Sequence, residues 1–257
     1  MKELVTVFAA LAVAGAAVAA DSNIVGYQVN SSIGTYETTG PTFITIGEQV
    51  NPTWQLGEIK VKGWEAGLDF IQILDPADAN VALFATYIDE ATSLLWMGDL
   101  SVVGWWNADF DTPLDGETFT AGTAMLCSVA SSGVEITYAG EVLERSYTLD
   151  LSGQKFPLFA NFTPVDLTLG DLEMTGFEAG SDFLQILNPA NAKVALSATY
   201  IDEATSLLWM GDLSVVGWWN ADFDTPLDST PFPAGAAALG SLTSPAVTIK
   251  FPSPLGI

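Results

Sequence analysis

The chain has no histidine, one cysteine and only 7 basic residues among 257, against 31 acidic ones. Without histidine, no Ser–His or Cys–His nucleophile pair can form, and no imidazole can ligate a metal. Cys127 alone makes neither an intramolecular disulfide nor a thiolate zinc site. A formal charge of −24 repels phosphate backbones and excludes nucleic acid as a partner. Past residue 20 there is no apolar run long enough to span a bilayer. Long segments with the 3.6-residue period of an amphipathic helix are also missing. What is present is apolar material: 49% of the residues are hydrophobic, over a length that suits one large or two medium domains.

Residues 1–20 read as a secretory signal peptide. Lys2 supplies a short positive region, Leu4 to Ala17 an apolar run, and Ala17-Val18-Ala19 with Ala20 the small residues of a cleavage site near Ala20 or Asp21. The alternative is a transmembrane anchor, for which the run is short. A cleaved chain with one cysteine and no disulfide suits a bacterial protein that is secreted or held at the cell surface, with no membrane span after cleavage.

The dominant feature is an internal repeat at an offset of 113 residues. Ala85 to Asp115 recurs unchanged as Ala198 to Asp228, a block of 31 residues. Upstream, Gly63 to Leu83 answers Gly176 to Leu196 without gaps. Such a period is too long for a solenoid and right for a small domain, giving units 21–138 and 139–257. Ile59 and Val61 become Leu172 and Met174 while the residues between them stay polar, the mark of a strand with one buried face.

Short apolar or alternating segments at 70–74, 81–88, 94–97, 100–106 and 124–129 predict strands. Gly98-Asp99 reads as a two-residue hairpin turn between two of them, and Asp75 to Asn80 as a short helical turn. Ile59, Val61, Ile73, Val81 and Leu83 are the expected core of the first unit. The expected fold is all-β: two tandem antiparallel β-sandwich or barrel-like repeats, each of roughly seven to nine strands. Val134 to Val142 holds no linker rich in Gly, Ser or Pro, and predicts one strand running from the first unit into the second.

The mature start NIVGY (Asn23 to Tyr27), the step from Gly40 to Phe43, the phrase DFIQIL (Asp69 to Leu74) and AGEV (Ala139 to Val142) resemble a group of secreted bacterial β-repeat proteins of unknown function. The resemblance spans both units. It implies an exported, envelope-associated protein and brings no catalytic residues with it.

Three constellations bear on chemistry. Asn107, Asp109, Asp111 and Asp115 place oxygen side chains at positions 1, 3, 5 and 9 of a loop, and Asn220, Asp222, Asp224 and Asp228 repeat them. Calcium loops use this spacing, so calcium is the one cofactor the sequence suggests. Position six is Thr112 instead of glycine and position twelve is Thr118 instead of glutamate, and the competing reading is a solvated acidic turn. Trp105, Trp106, Trp218 and Trp219 precede these loops. Neighbours on a strand face opposite ways, so one indole of each pair belongs to the core and the other offers a platform for a sugar, unless a loop covers it. Paired carboxylates such as Asp89/Glu90 and Asp109/Asp111 are material for glycoside hydrolysis, against the competing reading of solvated loop acids.

The function expected from these residues is a non-enzymatic structural or adhesive protein of the cell surface or extracellular matrix. Its expected partner is itself, docked head to tail through sheet ends. The alternatives are a binder of surface polysaccharide, using the tryptophans and acidic loops, and, third, a glycoside hydrolase.

Overall fold

The computed structural model describes residues 26–33, 42–47, 53–120, 122–141, 146–161, 163, 165–188 and 193–253. The signal-peptide segment lies outside them. Strand makes up 44% of the structure, against two short α-helices among the described residues, and the class is all-β.

The first ten strands are β1 (Gly26–Ile33), β2 (Thr42–Gly47), β3 (Thr53–Gln55), β4 (Lys60–Lys62), β5 (Phe70–Leu74), β6 (Val81–Ile88), β7 (Gly104–Asn107), β8 (Thr118–Thr120), β9 (Ala124–Val129) and β10 (Val134–Glu141). They form a five-stranded sheet in the order β2-β9-β5-β6-β7, a three-stranded sheet β1-β10-β4 and a pair β3-β8, all antiparallel.

The next ten are β11 (Tyr147–Asp150), β12 (Leu158–Ala160), β13 (Leu167–Thr168), β14 (Glu173–Thr175), β15 (Phe183–Leu187), β16 (Val194–Ile201), β17 (Gly217–Asn220), β18 (Pro231–Phe232), β19 (Ala237–Ser241) and β20 (Thr248–Phe251). Their sheets are β12-β19-β15-β16-β17, β11-β20-β14 and β13-β18. Each strand of the first set therefore has its counterpart ten places later, with the same neighbours.

Strand alternation builds the cores. In β5, Ile71 and Ile73 point inward between less buried neighbours. They join Trp105 of β7, Met125 and Cys127 of β9, and Val134 and Ile136 of β10 in one cluster, which draws on both larger sheets. The equivalent cluster of the second half includes Leu184, Ile186, Trp218, Ile249 and Phe251. Burying each such side chain contributes about 1.5–3 kcal/mol. Of the expected core, Ile59 and Ile73 are buried, and Val61 and Leu83 are partly buried against the cluster. Val81 is 47% exposed: it opens β6 beside the register shift between Ile73 and Leu74, where the alternation slips.

Two expectations fail. Residues 94–97 are helical: α1 (Glu90–Met97) and its counterpart α2 (Glu203–Met210) stand where a strand and hairpin turn were expected. Asp89 caps α1, its Oδ1 accepting from the Thr92 N–H at 2.7 Å, and Gly98 ends it with a left-handed φ of 78°. The glycine read as a hairpin turn is a helix C-cap, and of the strand expected at 100–106 only β7 forms, from Gly104 onward.

The second failure is the shared strand. β10 pairs with β1 and β4 of its own half, up to Glu141 opposite Gly26, so a boundary at 138 cuts it. The second half opens with its own β11. The halves meet elsewhere, where β12 packs on β2 and β9, and β19 on β2. Ala124, Ala160 and Ala237 fill this seam. The Pro76 carbonyl accepts from the N–H groups of Lys155 and Phe156, at 2.9 and 2.7 Å. Asp75 to Asn80, which supplies Pro76, closes as the expected turn, with the Ala79 N–H on the Asp75 carbonyl.

Candidate functional site: the duplicated helix and loop

The identical blocks fold identically. In α1 only Ser93 is buried; its hydroxyl donates to the Asp99 carbonyl at 2.7 Å, as Ser206 does to Asp212. No apolar side chain of either helix joins a core. Leu94, Leu95, Trp96 and Met97 are 52%, 82%, 48% and 59% exposed, and Leu207, Leu208, Trp209 and Met210 match them at 53%, 81%, 49% and 58%. The protrusion is anchored: Trp96 meets Phe110 edge to face at 5.3 Å, and Trp209 meets Phe223 at 5.4 Å.

Downstream, β7 sorts its tryptophans by face. Trp105 is fully buried among Trp64 and Tyr87, and Trp218 likewise beside Phe177 and Tyr200. A buried ring offers no face to a sugar, so Trp105 and Trp218 are core residues. Trp106 and Trp219 are half-buried, and each Nε1–H is spent at 2.8 Å on a backbone carbonyl, of Val102 or Val215.

The acidic loops close on themselves. Asn107 Nδ2 donates to Asp111 Oδ1 at 2.7 Å, and Asn107 Oδ1 accepts from the N–H groups of Asp111 and Thr112. Asn220, Asp224 and Thr225 repeat these contacts. The Asn107 amide and the Thr112 hydroxyl hold the Asp111 carboxyl below the usual carboxylate range; Thr225 and Asn220 do the same for Asp224. Asp109 and Asp222 are exposed at the loop tips. Asp115 and Asp228 instead turn to the strand, accepting from the N–H groups of Trp105 and Trp218 at 3.1 and 2.9 Å. The structure thus joins Asn107 to Asp111 and sends Asp115 elsewhere. Among the described residues no group of three or more carboxylate, histidine or cysteine side chains converges to hold a metal ion.

Two carboxylates not singled out in the sequence organise the sheets. Asp69 is fully buried; its Oδ1 accepts from Ala130 and Ser131 N–H at 2.7 and 3.0 Å, and its Oδ2 from Glu65 N–H at 2.8 Å. Asp182 makes the equivalent bonds to Thr243, Ser244 and Glu178. Burial opposes its ionisation, but these donors prevail and hold its carboxyl below the usual range. Buried Cys127 has its thiol pushed far up by desolvation, the chemistry of an inert core group. Asn161, within a glycosylation sequon, is buried with its amide on the Val165 and Phe232 carbonyls, at 3.0 and 2.8 Å.

Among the described residues no helix is long and apolar enough to cross a membrane. Comparison with family models, with curated proteins and with solved structures finds no match.

Proposed function

We propose that this is a secreted, non-enzymatic structural or adhesive protein of the cell surface or extracellular matrix, built from two tandem β-sandwich units behind a cleaved signal peptide. The observation that carries the reading is the capped, apolar, solvent-facing helix present in each half of a chain with a charge of −24. A soluble monomer rarely exposes contiguous apolar residues of this kind without a contact to make. Chemistry has little support by comparison. A general acid needs a carboxyl raised above its usual range, and Asp111 and Asp224 are displaced the other way.

The test is export and inertness together. Expressed from residue 1 in a bacterial host, the protein is recovered outside the cytoplasm with a new N-terminus at Ala20 or Asp21, and releases no reducing sugar from a panel of polysaccharides. Retention of an intact N-terminus in the cytoplasm, or sugar release, overturns the reading.

A further inference from the structure

We propose that the cleft between residues 153–156 and 241–245 is a saccharide site, which takes a neutral sugar. The inference deepens the reading above, on which it rests, by giving an adhesive protein the chemical class of its ligand.

The cleft belongs to the second half and has a volume of about 570 Å³, within the range of small-molecule sites. Its two walls are tied together by the Gly153 N–H on the Pro245 carbonyl, at 3.0 Å, and the Leu242 N–H on the Lys155 carbonyl, at 2.8 Å. The first half braces it from outside, through the bonds from the Lys155 and Phe156 N–H groups to the Pro76 carbonyl. A ligand therefore meets walls already in place, which lowers the entropic cost of binding.

The hydrogen-bonding groups of the cleft select the ligand. Thr243 spends its hydroxyl proton on Asp182 Oδ1 at 3.0 Å, so toward a ligand its oxygen can only accept. Gln154 gives an amide N–H to the Asp150 carbonyl at 3.4 Å and keeps its own carbonyl oxygen as an acceptor. Lys155 is exposed, and neither its amino group nor the Ser241 hydroxyl has a hydrogen bond or ion pair among the described residues. The half-buried Phe156 ring adds an apolar wall. A sugar matches this set. It has hydroxyls to donate to Thr243 and Gln154, oxygens to accept from Lys155, and a C–H face for Phe156. An anion can only accept. It would meet one lining base in a chain of charge −24, among acceptors that repel it. An apolar ligand would leave the same polar groups unpaired.

The two halves differ at this place. β2 pairs with β9 in the register of β12 with β19, Thr45 lying opposite Leu126 as Leu158 lies opposite Leu239. At the matching positions the first half has Pro41, Thr42 and Ala130 where the second has Gln154, Lys155 and Thr243. The amide, the ammonium and the hydroxyl that define the site are thus particular to the second half, in a chain that elsewhere repeats a long block without change.

The test is a titration of residues 21–257 with maltose, cellobiose and diacetylchitobiose, followed by nitrogen–proton correlation NMR, which detects millimolar binding. At least one of these neutral disaccharides is expected to shift the amide signals of residues 153–156 and 241–244 and to leave those of residues 128–131 in place. Its affinity should stay within about twofold from about 0.01 M to about 1 M salt, since a neutral ligand gives screening nothing to act on. Lys155→Thr, at an exposed position where substitution costs little stability, should weaken binding about tenfold with an unchanged melting temperature. No shift with any of the three sugars overturns the proposal, as does a Lys155→Thr variant that binds like the wild type. Digalacturonate bound more tightly than the neutral sugars, and released by salt, also overturns it and makes the cleft an anion site. Shifts centred on Trp106 and Trp219 instead overturn it in favour of those indoles. None of these results bears on export or signal cleavage, so the extracellular reading stands or falls separately.

Discussion

Asp69 and Asp182 show what one side chain does in this fold. Each carboxylate collects N–H groups from two stretches of chain about sixty residues apart, one before β5 or β15 and one after β9 or β19. Every partner is a donor, so an amide cannot replace the acid without placing its NH2 against an N–H. Asp182→Asn and Asp182→Ala should both destabilise the protein, the alanine variant by about 3 kcal/mol, because several buried donors lose their acceptor. Urea unfolding measures this. Since the folded Asp182 carboxyl lies below its ordinary value, its contribution is complete above about pH 4 and is lost as pH falls through the lowered value. The melting temperature of the wild type should therefore drop on acidification more than that of Asp182→Ala. Gly217 is a second such point: its φ is 131°, and a Cβ would lie 2.7 Å from both Asp228 carboxylate oxygens. Gly217→Ala should cost about 1–3 kcal/mol in the same assay.

At the scale of elements, alternation is legible in β5, where Ile71 and Ile73 are buried between partly buried neighbours. β6 and β9 fall on the apolar segments the sequence marks without alternating: β6 is buried only toward its end, and β9 at all but one position. The helices escaped for a physical reason. Leu94 to Met97 is a short apolar run, and such a run reads as a buried strand unless its capping residues are weighed. The information lay outside the run, in Asp89 and in Gly98, which was assigned to the wrong turn. Nor does periodicity disclose that these apolar residues face solvent, since an exposed apolar helix contradicts the burial that pattern reading assumes. The paired acids were legible as a loop. Their division into a self-closed Asn107–Asp111 turn and an Asp115 bound to backbone was not, because spacing says nothing about which donors lie nearby. Removing a cap tests the helix directly: Asp89→Ala with Asp202→Ala should destabilise both helices by about 1 kcal/mol each. Faster hydrogen exchange at residues 92–98 and 205–211, with the strands unchanged, is the expected readout.

For the whole molecule, the decisive feature is the seam. Ala124, Ala160 and Ala237 are small enough to bring the edges of the two five-stranded sheets together, and the Pro76 carbonyl ties the halves by two backbone bonds. Among the described residues, coupling therefore comes from packing between sheets and not from a strand held in common. The wild type should unfold in one calorimetric transition. Ala160→Leu overfills a fully buried site, at a cost of about 1–3 kcal/mol, and should part that transition into two. A single transition in the variant would show that the seam does not carry the coupling.

The exact duplication of the second half of β6, its helix and β7 also bears on how the chain reaches this state. Nothing in those 31 residues says which sheet they belong to, and the strand that carries them into the sheet differs between the copies at one position, Phe84, which stacks on Phe70 at 4.4 Å, against Ser197. Chain connectivity adds to that one local difference. β5 finds its own β6 by closing about 6 residues, and the wrong copy by closing about 120. The difference in closure entropy is about 2–3 kcal/mol, which makes misrouting within one chain roughly a one-in-a-hundred event. Between chains at high concentration that advantage shrinks, and strand exchange becomes the characteristic error of refolding. The brevity of the turn at Asp75 to Asn80 thus does most to keep two nearly interchangeable pieces in their proper places.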